Sequence, residues 1–428
     1  MKTLITHATI LPMTQEGLFF QGDIGIEDKK IVFVGTNRPE SFLPDMVIDA
    51  TGMLALPAFV NAHTHLSMGL MRNYKDSSPS LQDWLAEIFP IEEKLHTADV
   101  EAASRLGAAE LIRSGTTTFA DMYFFAHETA KVVREAGMRA CLGLTFFGDI
   151  DDSRRRFAER LPALEQEASL ASNRIRIDAA PHAIYTTSAE TYRYARDFVR
   201  ERGCAFHTHL SETRKEVDDC VKETGMTPAL YLESLGIFTV PSYLAHGVFI
   251  TDEEISLLKD CPTAIVHNIS SNLKLSSGVA PVAKFMRNGL TVAIGTDGAS
   301  SNNNLNMCEE LHVAMLVSRL FSAGQPPLPF DMLRAATLGG AQALGLSHLI
   351  GTLEVGKEAD IILVSTQATH MNPLNDPFSA MVYSLQSSDI DTVFCQGKLL
   401  MHGGILQTVD ESQACRDVNK KWNALLSR

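Results

Sequence analysis

The sequence predicts an α/β protein: a (β/α)8 TIM-type barrel with a small β-sandwich domain built from both chain ends. Three observations carry that prediction. Between about Pro57 and Gly351, eight short apolar runs alternate with longer amphipathic stretches. Nearly every run ends in a His, Asp or Glu. The two chain ends have a different, strand-rich texture, and neither alone holds enough strand to bury a core.

Residues 2–12 and 22–35 read as short strands, and GDIGIEDKKIVFVG reads as a hairpin with a charged turn between β-branched runs. The eight central runs are LALPAFVNAHTH, TTTFADM, RACLGLTF, RIDAAPHA, CAFHTHLSE, PSYLAHG, TAIVHNIS and TVAIGTDG. Several are almost wholly apolar, as expected of strands covered on both faces. The stretches between them, such as TADVEAASRLGAAELIRSG, ETAKVVREAGM and AETYRYARDFVRERG, are rich in helix formers and end at or next to Gly, a common helix C-cap. ADIILVS, DTVFCQGK and LLMHGGIL return to strand character. The expected division is therefore 57–352 for the barrel, with 1–56 and 353–428 as the two parts of the small β domain.

The 428 residues, 45% of them hydrophobic, are ample for a large core. A net charge of -14 argues against nucleic-acid or anionic-membrane binding, where basic patches supply the affinity. The seven cysteines are odd in number and contain no C-x-x-C pair, which fits reduced thiols and a cytoplasmic location. No apolar run approaches the roughly 20 residues of a membrane span.

Closing a barrel brings the C-terminal ends of all its strands to one face. There the sequence places His63 and His65 on run one, Asp121 on run two, His182 on run four, and His209 and Glu212 on run five. His246, His267 and Asp297 end runs six, seven and eight. Residues i and i+2 of a strand point the same way, so His63 and His65 share a face. With His209 and Asp297 they make an N3O set suited to one divalent ion, zinc first, with iron, manganese or nickel as alternatives. A lone strand histidine is more often core than ligand, and His207, one layer below His209, is either core filler, the favoured reading, or a support behind the ligands. Asp121 and His267 are either pocket residues or hydrogen-bonded supports, with support the favoured reading.

At these residues the chain closely resembles the amidohydrolase superfamily, in particular its deaminases of 5'-methylthioadenosine and S-adenosylhomocysteine. The matching pieces include PAFVNAHTHLSM, DWLAEIFPIEEKL, SGTTTFADMYF, PHAIY, HTHLSET, LAHGVF, HNISSNLKLSSGVAP, GTDGASSNNNLNM and GKEADIILV. H-x-H alone is weak, whereas the ordered set is highly specific. The resemblance implies His63, His65, His209 and Asp297 as metal ligands. It implies Glu212 as proton shuttle at the purine ring, His246 as holder of the attacking water, and Asp297 also as acceptor of the water proton. Glu92 would receive the ribose hydroxyls, Trp84 would flank the nucleoside, His182 would touch the substrate, and Arg156 would match a family arginine near the 5' end. Without the resemblance, Trp84 and Glu92 read as an ordinary core residue and a solvated charge. Run four lacks the lysine that bridges two metals in binuclear members, which supports one ion. The third-strand arginine associated with a carboxylate tail falls at Leu144, which shifts the expectation toward neutral 5' groups.

The expected reaction is hydrolysis of a 5'-substituted adenine nucleoside to its inosine analogue and ammonia. Homo-oligomers are compatible with the resemblance. The nearest rival is an amidohydrolase acting on another amino- or chloro-substituted ring of the guanine, cytosine or triazine type. A non-catalytic scaffold is the reading from a different class, and the intact ligand set speaks against it.

Overall fold

A computed structural model of the chain describes residues 1–36 and 38–428. The N-terminal strands are β1 (Lys2–Ile10), β2 (Phe20–Glu27), β3 (Lys30–Gly35), β4 (Met46–Asp49) and β5 (Met53–Pro57). Next come the barrel strands β6 (Phe59–Thr64), β7 (Thr116–Met122), β8 (Arg139–Phe146), β9 (Ile175–Pro181), β10 (Phe206–Leu210), β11 (Ser242–His246), β12 (Thr263–His267) and β13 (Thr291–Ile294). The chain then returns to strand in β14 (Ile361–Ser365), β15 (Ile390–Cys395), β16 (Lys398–His402) and β17 (Ile405–Leu406).

β6 to β13 form one eight-stranded sheet in sequence order, and all the pairings are parallel. The seam between β6 and β13 is bridged just past β13. Asp297 donates its backbone N–H to the His63 carbonyl at 3.0 Å. The Asn61 side chain accepts from the Thr296 N–H at 3.0 Å and donates to its hydroxyl at 2.7 Å. This clamp sets the height of Asp297 against His63. Below, the short helix Gly340–Ala343 comes against β6, and only glycine fits its first position. A Cβ on Gly340 would stand 2.7 Å from Val60 Cβ and 2.9 Å from its carbonyl oxygen.

The remaining nine strands make a mixed sheet in the order β17-β16-β15-β14-β5-β1-β2-β3, with β4 paired to β1. The two chain ends join where β5 runs antiparallel to β14, with Pro57 opposite Ile361. Ile5, Ile10, Ile24, Ile26, Ile31, Ile361, Leu363 and Phe394 fill its core. Run one of the sequence is thus two strands. Met53–Pro57 is claimed by β14, and Phe59–Thr64 by β7, with a break at Ala58.

The helices that matter for the site are α1 (Leu81–Glu92), α2 (Thr97–Arg113), α3 (Ala126–Ala136) and α4 (Ile150–Leu170). Ser80 caps α1 by accepting from the Asp83 N–H at 3.2 Å. The predicted glycine stops hold: α3 ends at Gly137 with φ 78°, and the helix Ala189–Arg202 ends at Gly203 with φ 64°. The last segment departs from the expected division. Glu411–Leu426 is a helix, and it lies against the barrel rather than the end sheet. Val418 and Leu425 pack into an apolar cluster with Trp84, Ile88 and Val100, Glu411 pairs with Arg113 at 2.5 Å, and Arg428 donates to Asp99 at 2.5 Å. The sequence reading assigns 353–428 to the end domain on strands that stop at Leu406 and passes over the helical spacing of Ala414, Val418 and Leu425. No helix among the described residues is long and apolar enough to cross a membrane.

Candidate active site

Each predicted ligand sits at the C-terminal end of a barrel strand. His63 and His65 come from the end of β6, His209 from β10 and Asp297 from just beyond β13. His65 Nε2 lies 3.3 Å from His209 Nε2 and 3.3 Å from Asp297 Oδ1, and His63 Nε2 lies 3.5 Å from Asp297 Oδ1. Four tetrahedral ligands about 2.1 Å from one zinc ion stand roughly 3.4 Å apart, so these spacings match a shared ion.

The outward ring nitrogens explain the orientation. His65 Nδ1–H donates to the Met122 carbonyl at 2.5 Å, and His209 Nδ1–H donates to the His182 carbonyl at 2.7 Å. In their neutral forms both rings therefore turn Nε2 lone pairs toward each other, a repulsive contact unless an electrophile sits between them. His63 Nε2 is buried without a hydrogen-bond partner among the described residues. Burial drives His63 down to about 4 and holds His209 well below the usual imidazole range. Neutral imidazoles are the ligating form. The donor set fits a divalent cation.

Asp297 is fixed at both oxygens. Oδ1 accepts the Gly298 N–H at 2.7 Å, and Oδ2 accepts the Ser271 hydroxyl at 2.7 Å. Burial alone would raise its carboxyl, but His63 and its neighbours outweigh that and hold it well below the usual value. Asp297 and His246 both adopt left-handed backbone, with φ 62° and 78°. Such turns cost non-glycine residues about 1–2 kcal/mol and here aim the side chains inward.

Two further groups face the cluster. His246 Nδ1–H donates to Asn272 Oδ1 at 2.8 Å, which turns its Nε2 toward Glu212 Oε2 at 3.7 Å and Asp297 Oδ2 at 3.9 Å. Glu212 accepts the Ser277 hydroxyl at 3.3 Å. Its backbone N–H and that of Ser211 are both taken by the Glu216 carboxylate, at 2.7 and 3.1 Å. Burial, reinforced by the charge of Asp297, pushes Glu212 up to about 8.

These side chains floor a pocket of about 580 Å³ whose wall is one face of α1: Leu81, Trp84, Leu85, Phe89 and Glu92. Burial raises Glu92 to about 7, opposed by the Tyr123 hydroxyl that donates to it at 2.7 Å. His182 stacks on Phe147 at 4.8 Å across the pocket. Arg156 is not brought to this pocket. It lines two adjoining cavities and pairs with Asp152 at 2.7 Å. One of these cavities shares Phe89, Glu92, Phe124 and Phe147 with the main pocket. Leu144 lines the other and is absent from the main pocket wall. Asp121 accepts the Leu66 N–H at 2.7 Å and the Thr64 hydroxyl at 3.1 Å, so it braces the turn after His65. Sequence reasoning missed Ser271, Asn272, Ser277, Glu216 and Tyr123. The first three lie within HNISSNLKLSSGVAP, where the motif was noted without roles for its members.

An eight-stranded α/β barrel whose mouth gathers histidine and aspartate donors that could hold a cation is an architecture suited to metal-dependent hydrolysis. The chain belongs to the Amidohydrolase family, whose model matches residues 54–400. It is 39% identical over 430 residues to a 5-methylthioadenosine/S-adenosylhomocysteine deaminase of Caldanaerobacter subterraneus subsp. tengcongensis, covering 100% of this chain and 99% of that one. It is 41% identical over 378 residues to a 5'-deoxyadenosine deaminase of Methanosphaera stadtmanae, covering 87% and 88%. Among solved structures it is similar to an adenosine deaminase from Xanthomonas campestris with bound zinc. The TM-score is 0.94, at 30% identity over 100% of this chain and 99% of that one.

Proposed function

We propose that the chain is a metal-dependent hydrolytic deaminase of 5'-substituted adenine nucleosides: 5'-methylthioadenosine, S-adenosylhomocysteine, 5'-deoxyadenosine or adenosine. The products are the inosine analogue and ammonia. One observation carries this: the nitrogens of His65 and His209 and an oxygen of Asp297 stand at ligand spacing beside Glu212, in a pocket walled by Trp84 and Glu92. His63, His65, His209 and Asp297 would hold the ion, zinc before iron, manganese or nickel. A divalent ion held there supplies Lewis acidity and a water acidified toward neutrality.

The protein's own groups do the rest. Asp297 Oδ2 takes a proton from the attacking water, and His246 Nε2 orients that water. Glu212, held protonated near neutrality by burial, delivers a proton to purine N1, which makes C6 the electrophile. After the water oxygen adds to C6, Asp297 gives the proton it took to the exocyclic nitrogen. Glu212, now a carboxylate, takes the proton left on the added oxygen as the C6=O bond forms, and the nitrogen leaves as ammonia. Glu92 accepts the ribose hydroxyls, Trp84 covers the nucleoside, and His182 contacts it. Arg156 acts only on 5' groups long enough to reach the adjoining cavity. Among the described residues no lysine or arginine lines the main pocket, which supports a preference for neutral 5' substituents. Free thiols at all seven cysteines support a cytoplasmic setting.

The decisive test is a panel of adenine nucleosides, guanine and aminotriazines, followed by ammonia release. Activity on nucleosides is expected, lost on treatment with a strong chelator and restored by zinc. Turnover of the free base or triazine alone would reject this reading. Glu92→Ala is expected to raise KM for nucleosides by roughly tenfold or more, the worth of a hydrogen bond to a charged group, with metal content unchanged. A variant equally impaired on a free base would remove ribose recognition from Glu92.

A further inference from the structure

We propose that His207 is a positioning residue that holds His63 in the one tautomer able to ligate the ion; this rests on the metal reading above. The sequence alone leaves two readings of His207, core filler and a support behind the ligands. It lies fully buried in the barrel lumen, with Nε2 2.8 Å from His63 Nδ1. The comparison with the other two imidazoles gives the contact its meaning. His65 and His209 each give Nδ1–H to a backbone carbonyl, which leaves Nε2 free to ligate. Among the described residues His63 has no such carbonyl, and the nitrogen of His207 occupies the equivalent place.

Two neutral imidazoles in contact can share one hydrogen in either of two ways. If His207 Nε2 carries it, His63 must place its own hydrogen on Nε2, toward Asp297, and cannot bind a cation. If His63 Nδ1 carries it, His63 Nε2 is a free lone pair, and His207 carries its hydrogen on Nδ1. Only the second arrangement suits the ligand set.

The lumen holds His207 in position for that role. Its ring lies 4.2 Å from that of Tyr243 at 31°. The Tyr243 hydroxyl is anchored on Asp178 Oδ2 at 2.9 Å, and Asp178 is clamped by two bonds of 2.7 Å from Arg176 and by the Ala205 N–H at 3.0 Å. A filler in this apolar lumen would be better served by an apolar ring, because His207 Nδ1 has no partner among the described residues. Partners of this kind on metal-bound histidines typically carry a 10–100-fold effect on metal affinity.

The test titrates metal-free protein with zinc against a chromophoric chelator, for the wild type, His207→Phe and His207→Gln. His207→Phe keeps the packing and removes the acceptor. Its zinc affinity is expected to fall about 10–100-fold, while the thermal midpoint of the metal-free protein is unchanged or raised. His207→Gln, whose amide oxygen reaches the same place, is expected to recover most of the affinity. A packing role predicts instead that zinc affinity is unchanged in both variants, with a lowered midpoint only in His207→Gln. Wild type that binds one zinc, with His207→Phe binding it equally well, overturns the role of His207 alone. Wild type that binds no zinc overturns the metal reading and this one with it. Should His207→Phe fail to fold, nitrogen NMR of histidine-labelled, zinc-loaded wild type decides. A hydrogen on His63 Nδ1 coupled to His207 Nε2 is expected, and a hydrogen on His207 Nε2 would reject the proposal.

Discussion

Glu212→Gln is expected to lower kcat by about 10²–10⁴-fold, the usual worth of a positioned acid–base group, with zinc content and KM little changed. The amide keeps the shape and the contact with the Ser277 hydroxyl but carries no transferable proton. The rest of the site stays in place, because the Glu216 carboxylate grips the backbone of Ser211 and Glu212 rather than the Glu212 side chain. Glu212 Oε2 is also the carboxylate oxygen 3.7 Å from His246 Nε2. In the proposed reaction the same carboxyl gives a proton to the ring and later takes one from the added oxygen. Steady-state kinetics with metal analysis on the same preparation checks this. Turnover within tenfold of wild type would mean that the proton travels by another group.

The largest stability effect is expected far from the pocket. Asp360→Ala should cost about 3–5 kcal/mol by leaving Arg139 buried with an incomplete partner set, and should lower the apparent Tm by roughly 5–10 °C. Arg139 opens β8 of the barrel, and Asp360 immediately precedes β14 of the end sheet, so the pair bolts one sheet to the other. Both side chains are 3% exposed. Asp360 Oδ1 accepts from Arg139 Nη2 at 3.1 Å and from the Gln396 N–H at 2.9 Å, and Oδ2 accepts from Thr117 at 2.8 Å. Arg139 also reaches Glu358 at 2.5 Å. Burial by itself would raise the Asp360 carboxyl, but the Arg139 guanidinium outweighs it and holds it below the usual carboxylate range. A carboxyl depressed in the folded state stabilises above its unfolded pKa. That contribution is lost as pH falls through the folded value, so the bolt loosens only in acid. Replacing both partners at once, Arg139→Met with Asp360→Leu, should cost far less than Asp360→Ala alone. Thermal melts of the three proteins separate an unpaired charge from the net worth of the pair, and equal losses in single and double variants would refute the argument.

The sequence reading was sharpest where local geometry and topology coincide. Two histidines separated by one residue at a strand end must share a face, and strand ends of a closed barrel must meet. Those two facts gather His63, His65, His209 and Asp297 at one mouth together with His182, His246, His267 and Asp121, and the resemblance singles out the four. In the structure His65 stands 3.3 Å from both His209 and Asp297, and His63 3.5 Å from Asp297. It was weakest where a side chain's role depends on its neighbour. Arg156 looked available as a loop charge, yet in the fold it faces Asp152 one helical turn away and lines the adjoining cavities. His207 looked like filler because nothing near it in the chain reveals that its ring meets that of His63, 144 positions away. The terminal helix escaped notice because its apolar face is completed by Trp84 and Ile88, which are remote in sequence.

By itself, the order of residues determined the periodicities, the alternating strand and helix units, the glycine stops and the chemical identity of the groups at each strand end. These are local properties, set by backbone geometry and side-chain chemistry over a few residues. Only the tertiary structure decided which nitrogen of each imidazole faces inward, that α1 walls the pocket, and that Met53–Pro57 leaves the barrel for the end sheet. Those outcomes depend on which distant carbonyl, carboxylate or strand edge arrives alongside, and chain closure alone supplies that partner.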